Sequence, residues 1–191
     1  MPAPERRSER AHSAILDAVF DLCVERGYAK VTIEAIAARA AVGKPTIYRW
    51  WPSKGALALE ALHVRIGHAT DFPDTGDVAA DLRAQMASVS RLFAGDIGII
   101  YRGVIAEAQG DPDLVEAVRA TIIGPRAKQC GDRLAIAVER GELRPDVPLR
   151  TMCDLLYASL YQRMLLGAGE AHLLRVPEVV DLILDGLRPR T

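Results

Sequence analysis

The chain has 191 residues, half of them hydrophobic and 26% charged, with a net charge of −1. That is ordinary globular composition, enough for one domain or a small module fused to a larger one, and it excludes a disordered or fibrous chain. No apolar run approaches the roughly 18 residues that suggest a membrane span, and the opening MPAPERRSER has no apolar stretch behind its arginines, so no secretory signal is expected.

Taken in chain order, nearly every segment carries the 3.6-residue period and none alternates like a strand, so an all-α fold is expected. The first helix is predicted over residues 8–26, with Ile15, Val19, Leu22 and Cys23 on one stripe, Leu16 and Phe20 beside it, and Gly27 as its stop. Arg6, Arg7 and Arg10 form a basic arm ahead of it. Thr32 suits the N-cap of a short helix over 33–40 that buries Ile33, Ile36 and Ala37. Residues 40–43 make a tight turn, and Pro45 suits the first turn of the next helix, where a missing N–H costs nothing. That helix is short because Pro52 disfavours helical geometry at Trp51. Ser53 then caps a helix over 54–66. The stretch GHATDFPDTGD is a linker rich in turn residues and marks the expected domain boundary. Beyond it, helices are predicted over 78–93, 97–109 and 112–140, the last kinked or divided at Gly124-Pro125. A second linker, RGELRPDVP, precedes two apolar helices over 149–166 and 177–187. Cys23, Cys130 and Cys153 lie far apart with no paired spacing and are expected to be buried structural thiols. A cytoplasmic location follows as the default.

The charge is uneven along the chain. Residues 1–55 hold nine Lys/Arg against six Asp/Glu, so an anionic partner would be met by the N-terminal quarter. That quarter also holds two short helices joined by a glycine-containing turn, a helix-turn-helix candidate. Its second helix divides by face. Ile47 and Trp51 are four apart and can pack on the first helix and Ile36, whereas Pro45, Tyr48 and Arg49 share another face, with Thr46 and Trp50 on a flank. Adjacent residues are about 100° apart on a helix, so Trp50 and Trp51 cannot both enter one small core.

The segment TIEAIAARAAVGKPTIYRWWPSKGALALEAL resembles the DNA-binding domain of the TetR (tetracycline repressor) family of transcriptional regulators. The likeness rests on Thr32, Ile36-Ala37, Val42-Gly43, Ile47-Tyr48, Trp50-Trp51 and Pro52-Ser53-Lys54, in the family's order and spacing. It covers about residues 8–62. One departure is the aromatic pair, which is usually Tyr-Phe or His-Phe in the family. The resemblance implies a DNA-binding domain over 1–55 and a helical ligand-binding and dimerisation domain over 56–191, about nine helices in all. It implies that Trp51 takes the place of a core phenylalanine and that Tyr48 and Trp50 touch the DNA backbone. Lys44, Pro45, Thr46 and Arg49 would approach bases in the major groove, and Thr32 and Lys54 would meet phosphates. General chemistry agrees, since helix N-termini and cationic side chains attract phosphate, and arginine can bind guanine with two hydrogen bonds.

By the same analogy the last two helices pair with their copies from a second subunit through Leu156, Leu160, Tyr161, Met164, Val180, Ile183, Leu184 and Leu187. A homodimer sets two recognition helices on two half-sites, so the double-stranded operator should be near-palindromic. The middle helices would enclose a pocket for a small-molecule inducer, with Met86, Val89, Phe93, Ile100, Tyr101, Val104, Arg119, Ile122 and Ile123 as lining candidates. The expected protein is therefore a repressor relieved by a ligand. The competing reading is a helical ligand- or protein-binding module without DNA-binding regulation, against which the intact 44–54 segment argues. No enzyme, cofactor or metal is expected. His12, His63, His68 and His172 are scattered, no HExxH, phosphate loop or GxSxG is present, and His68 with Asp71 and Asp74 lies where turn-forming aspartates are common anyway.

Overall fold

The computed structural model describes residues 4–166 and 175–189, all helix, turn and coil without a strand; His172 lies outside them. The helices are α1 (Pro4–Arg26), α2 (Ile33–Arg39), α3 (Lys44–Tyr48), α4 (Lys54–Ile66), α5 (Val78–Ala94), α6 (Asp96–Ala108), α7 (Pro112–Val118), α8 (Gly124–Glu139), α9 (Leu149–Leu165) and α10 (Val176–Leu187). With α7, the π turn Arg119–Ile123 and α8 counted as one helical stretch of the chain, the described residues hold nine helices. The chain forms two compact units. One comprises the chain up to Arg65 with Asp96–Arg119, the other Ile66–Gly95 with the chain from Ala120 onward.

In the first unit the predicted stripe of α1 is the core: Ile15, Leu16, Val19, Leu22 and Cys23 are buried. Helix α1 starts a turn earlier than expected, so the backbone of Arg6 and Arg7 belongs to it along with Arg10, and the basic arm is helical. It stops where Gly27 takes φ +80°, a conformation glycine adopts without strain. Thr32 caps α2, its Oγ1 accepting from the Ala35 N–H at 3.3 Å. The turn after α2 is closed by Val42 N–H to Ala37 O at 3.0 Å and Ala41 N–H to Ala38 O at 3.3 Å. This is a Schellman arrangement, which needs a left-handed residue. Ala41 supplies it at φ +53°, at a cost of roughly 1–2 kcal/mol for a residue with a Cβ. Ser53 Oγ accepts from the Ala56 N–H at 3.1 Å and caps α4. Residue 55 thus falls in the first turn of α4, whose Leu57, Ala58, Ala61 and Leu62 are buried.

The second unit is organised by α5, α8, α9 and α10, with α10 packed on both α5 and α9. Asp77 caps α5 by accepting from Ala79 and Ala80 N–H at 2.9 and 3.0 Å. The Gly124-Pro125 break takes the form of the π turn just before it. Proline has no N–H to donate and its ring crowds the carbonyl four residues back, and a wider turn accommodates both. Inside this unit Asp81 is fully buried and Arg133 is 4% exposed. Arg133 Nε donates to Asp81 Oδ2 at 2.8 Å, and Thr75 Oγ1 donates to Oδ1 at 2.6 Å. A separate buried polar group forms at Gln85, which donates to Thr70 O at 3.2 Å and accepts from Tyr157 Oη at 2.9 Å. All three cysteines are buried and unpaired as disulfides.

Candidate nucleic-acid interface

Helix α3 is only five residues long, and its placement depends on how its two ends are fastened. Gly43 O accepts from Thr46 N–H at 2.9 Å at the start, and Ile47 O accepts from the N–H groups of both Trp50 and Trp51 at 3.0 Å at the end. Ile47 is 0% and Trp51 3% exposed, whereas Tyr48 keeps 54% of its surface. Lys44, Pro45 and Arg49 are exposed as well, and Thr46 is half-buried. The division by face predicted from the sequence is therefore present, and the side chains left outward are basic, aromatic or small. Such a surface suits phosphates and base edges.

The two tryptophans belong to one aromatic cluster with α1. Their ring centroids are 5.3 Å apart, edge to face, and His12 lies 4.7 Å from Trp50 and 4.9 Å from Trp51. Trp51 Nε1 donates to Glu60 Oε2 at 2.7 Å, and Glu60 Oε1 is 2.9 Å from His12 Nε2. Glu60 of α4 thus ties α1 to the residues that end α3. Trp50 is half-buried beside His12, and the Arg49 guanidinium lies 5.5 Å from its ring centre.

Two of the expected DNA contacts are already paired with carboxylates. Lys44 Nζ is 2.9 Å from Glu34 Oε1, and this hydrogen bond holds Lys44 above and Glu34 below their ordinary pKa values. Both side chains are largely exposed, 52% and 65%, so water and salt weaken the pair and leave Lys44 available to a stronger anion. Lys54 is more enclosed. Its Nζ is 3.5 Å from Glu107 Oε2 and 3.4 Å from Tyr28 O. Burial pushes the neighbouring Cys23 thiol up to about 11, against a lowering by the Lys54 charge. Thr32 remains exposed at the start of α2.

The ligand candidates fall in both units. Met86, Val89, Phe93 and Ile122 are buried and Ile123 exposed in the second, while Ile100, Tyr101 and Val104 are buried and Arg119 exposed in the first. A pocket of about 330 Å³ in the second unit is lined instead by Asp71, Phe72, Pro73, Asp74, Gln129, Asp132, Arg133 and Ile136. Of the residues expected at a subunit interface, Leu156, Leu160, Met164, Val180, Leu184 and Leu187 are buried by their own chain, because α10 packs on α5 and α9. Tyr161 and Ile183 are half-buried. Among the described residues, the large apolar side chains left outward on these two helices and just after α9 are Leu155, Leu165, Leu166 and Leu182, from 44% to 74% exposed.

Several residues around the site carry no local sequence signal. His12, Tyr28, Glu34, Glu60 and Glu107 are each single polar positions on separate elements, and only the fold brings them to α3 and the start of α4. Glu34 alone was within reach of the sequence, since an acidic residue in the first turn of α2 and Lys44 at the start of α3 flank one tight turn.

Comparison with known proteins agrees with this geometry. The model for bacterial regulatory proteins of the tetR family matches residues 15–61, and the model for the tetracyclin repressor-like C-terminal domain matches residues 72–183. The chain is 33% identical over 185 residues to the HTH-type transcriptional regulator YdeS of Bacillus subtilis (strain 168), covering 95% of this chain and 90% of that protein. It is 30% identical to the DNA-binding transcriptional repressor TetR of Mycobacteroides abscessus, over 96% of this chain and 97% of that one. Among solved structures, the TetR family transcription regulator SCO0332 superposes with a TM-score of 0.75 at 37% identity, covering 94% of this chain and 99% of that one. The fatty acid degradation regulator FadR from Bacillus halodurans shares the fold, with a TM-score of 0.74 at 19% identity and full coverage of both chains.

Proposed function

The chain belongs to the TetR family of DNA-binding transcriptional regulators, and from that premise we propose that it is a homodimeric cytoplasmic repressor released from its operator by a small molecule. The observation that carries the DNA contact is the division of α3, with Ile47 and Trp51 buried while Pro45, Tyr48 and Arg49 face outward. Within residues 1–55, Thr32 and Lys54 meet phosphates, Tyr48 and Trp50 the DNA backbone, and Lys44, Pro45, Thr46 and Arg49 the base edges. Residues 56–191 hold the inducer and the second subunit. No helix among the described residues is long and apolar enough to cross a membrane.

Selection of bound sequences from random duplexes tests the reading. It should return a near-palindrome whose half-sites lie about 34–36 Å apart or a multiple of that spacing; recovery of no preferred sequence would sink the repressor. In the same assay Arg49→Ala should relax preference at one position per half-site, by about 1–3 kcal/mol if a bidentate guanine contact is lost. Uniform weakening across all sequences would move Arg49 to the phosphates instead.

The dimer uses the apolar side chains that α9 and α10 leave outward, Leu155, Leu165, Leu166 and Leu182, with Tyr161 and Ile183 at their margin. Leu182→Glu, which puts a charge on an α10 leucine that is 74% exposed, should convert the species seen in sedimentation from twice the 20.8 kDa chain mass to that of a single chain and remove operator binding with it. A wild-type sedimentation profile for Leu182→Glu combined with Leu155→Glu would place the interface elsewhere.

A further inference from the structure

Lys54 is held within its own unit by three groups at once. Its Nζ lies 3.5 Å from Glu107 Oε2 in the last turn of α6, 3.4 Å from Tyr28 O, and 4.1 Å from the centre of the Tyr28 ring. Tyr28 Oη donates to the same Glu107 oxygen at 2.9 Å, so the carboxylate facing Lys54 is itself fixed. Tyr28 is buried, and burial together with the Glu107 hydrogen bond raises its pKa, which keeps the phenol a donor at every physiological pH. The approach of α6 to this group is permitted by two glycines. A Cβ on Gly103 would stand 2.2 Å from Tyr28 Cγ, and one on Gly55 would stand 2.5 Å from Leu114 Cδ2 and 2.7 Å from Glu107 Oε1. Only 20% of the Lys54 side chain and 32% of the Glu107 side chain remain exposed. A cation shielded to this degree is less screened by salt than a free surface lysine.

We propose that Glu107 is a positioning residue for DNA binding: its carboxylate, tethered by Tyr28, competes with a DNA phosphate for the Lys54 ammonium. The inference rests on Lys54 being a phosphate contact. A phosphate oxygen and the Glu107 carboxylate are both anionic acceptors, and Lys54 has already turned its N–H groups toward Glu107 and Tyr28 O. Its charge is therefore partly neutralised before the duplex arrives. Binding then releases fewer counterions than a free lysine would, and the α6 carboxylate sets how much of the ammonium reaches the DNA.

The test measures affinity for the selected operator and for a random duplex over a series of salt concentrations. Glu107→Gln keeps the size of the side chain and an oxygen for Tyr28 but removes the charge. It should tighten both duplexes about two- to fivefold, as expected for releasing one partly exposed ion pair, steepen the salt slope by up to about one unit, and leave the ratio between the two duplexes unchanged. Glu107→Asp, which retracts the charge by one methylene, should give a smaller gain in the same direction. Lys54→Gln should weaken both duplexes and flatten the slope by about one, and adding Glu107→Gln to it should give no further gain. Unchanged or weaker binding by Glu107→Gln at an unaltered melting temperature overturns the competition, while the loss in Lys54→Gln still leaves Lys54 on a phosphate. If Glu107→Gln lowers the melting temperature, Glu107→Asp decides, and no tightening there overturns the proposal. A gain that persists without Lys54 also overturns it, because the effect would then be a general one of charge near DNA. Unaltered affinity and slope in Lys54→Gln would remove the phosphate contact itself.

Discussion

Asp81→Asn should lower the thermal midpoint of the protein by roughly 10 °C, an estimate that combines about 3–5 kcal/mol for breaking a buried ion pair with about 2–4 °C per kcal/mol at this chain length. The reason is the burial of both partners. Asp81 has no exposed surface and Arg133 only 4%. Arg133 Nη2 lies 2.7 Å from Oδ2, close enough for charge pairing but angled away from a hydrogen bond, and neither Nη1 nor Nη2 has a hydrogen-bond acceptor. The guanidinium thus depends on this one carboxylate for nearly all its compensation. Asparagine keeps the shape and can still accept from Thr75, so the loss isolates the charge. Replacing the pair together, Asp81→Leu with Arg133→Met, should recover most of the midpoint, since an apolar pair of similar volume avoids the desolvation cost. A midpoint for Asp81→Asn within about 2 °C of wild type, or about 1 kcal/mol, would show that water reaches the guanidinium.

The same pair has a pH signature. Burial raises the Asp81 pKa, but hydrogen bonds from Thr75 and Arg133 and the charge of Arg133 outweigh it, so the folded value lies below the ordinary carboxylate range. A group whose pKa is lower folded than unfolded binds its proton more readily in the unfolded chain. Its stabilisation is fully present above the unfolded value, about 3.9, and is lost as pH falls through the folded one. The gap in stability between wild type and Asp81→Asn should be constant from neutral pH down to about 4 and shrink below it. A gap that instead grew on acidification would show that Asp81 is held protonated at neutral pH.

What the sequence revealed and what it hid divide along the range of the interactions involved. Caps and stops are local, so Gly27 marked the end of α1 and Thr32, Pro45 and Ser53 the starts of α2, α3 and α4, and the 3.6-residue period gave the buried faces of α1 and α2. The same local logic flagged Gly124-Pro125, though not that the backbone would answer with a π turn. Periodicity says that a face is apolar but not what covers it. Leu156, Leu160, Val180 and Leu184 looked like surface for a second subunit because α9 and α10 carry more apolar residues than one face needs. The chain itself covers them, and the surplus left outward is Leu155, Leu165, Leu166 and Leu182. Contacts between distant single residues left no trace at all. Tyr28 and Glu107 are 79 positions apart, and neither position looks unusual until α6 is laid against the turn after α1. Lys54 was therefore expected as a lone cation and is found with partners.

Trp51→Ala should cost about 3–5 kcal/mol, the usual range for emptying a large aromatic site, and should abolish operator binding, whereas Trp50→Ala should cost much less and weaken all duplexes alike. Both tryptophans follow α3 and both touch His12, but their burdens differ. Trp51 is 3% exposed and closes the bridge through Glu60 to α1; without it the five residues of α3 keep only Ile47 as an anchor. Trp51→Phe should restore the packing and lose only the hydrogen bond to Glu60, a cost of about 1–2 kcal/mol, with operator binding retained. Because the chain has just two tryptophans, fluorescence separates the roles directly. In Trp50→Phe the remaining indole, Trp51, should emit as a buried group and scarcely respond to DNA. In Trp51→Phe the remaining Trp50 should emit at longer wavelength and change on binding the operator, since it is half-buried beside Arg49 at the edge of the outward face. If the responsive indole proved to be Trp51, α3 would have to present the opposite face to DNA, and the assignment of Tyr48 and Arg49 would fall with it.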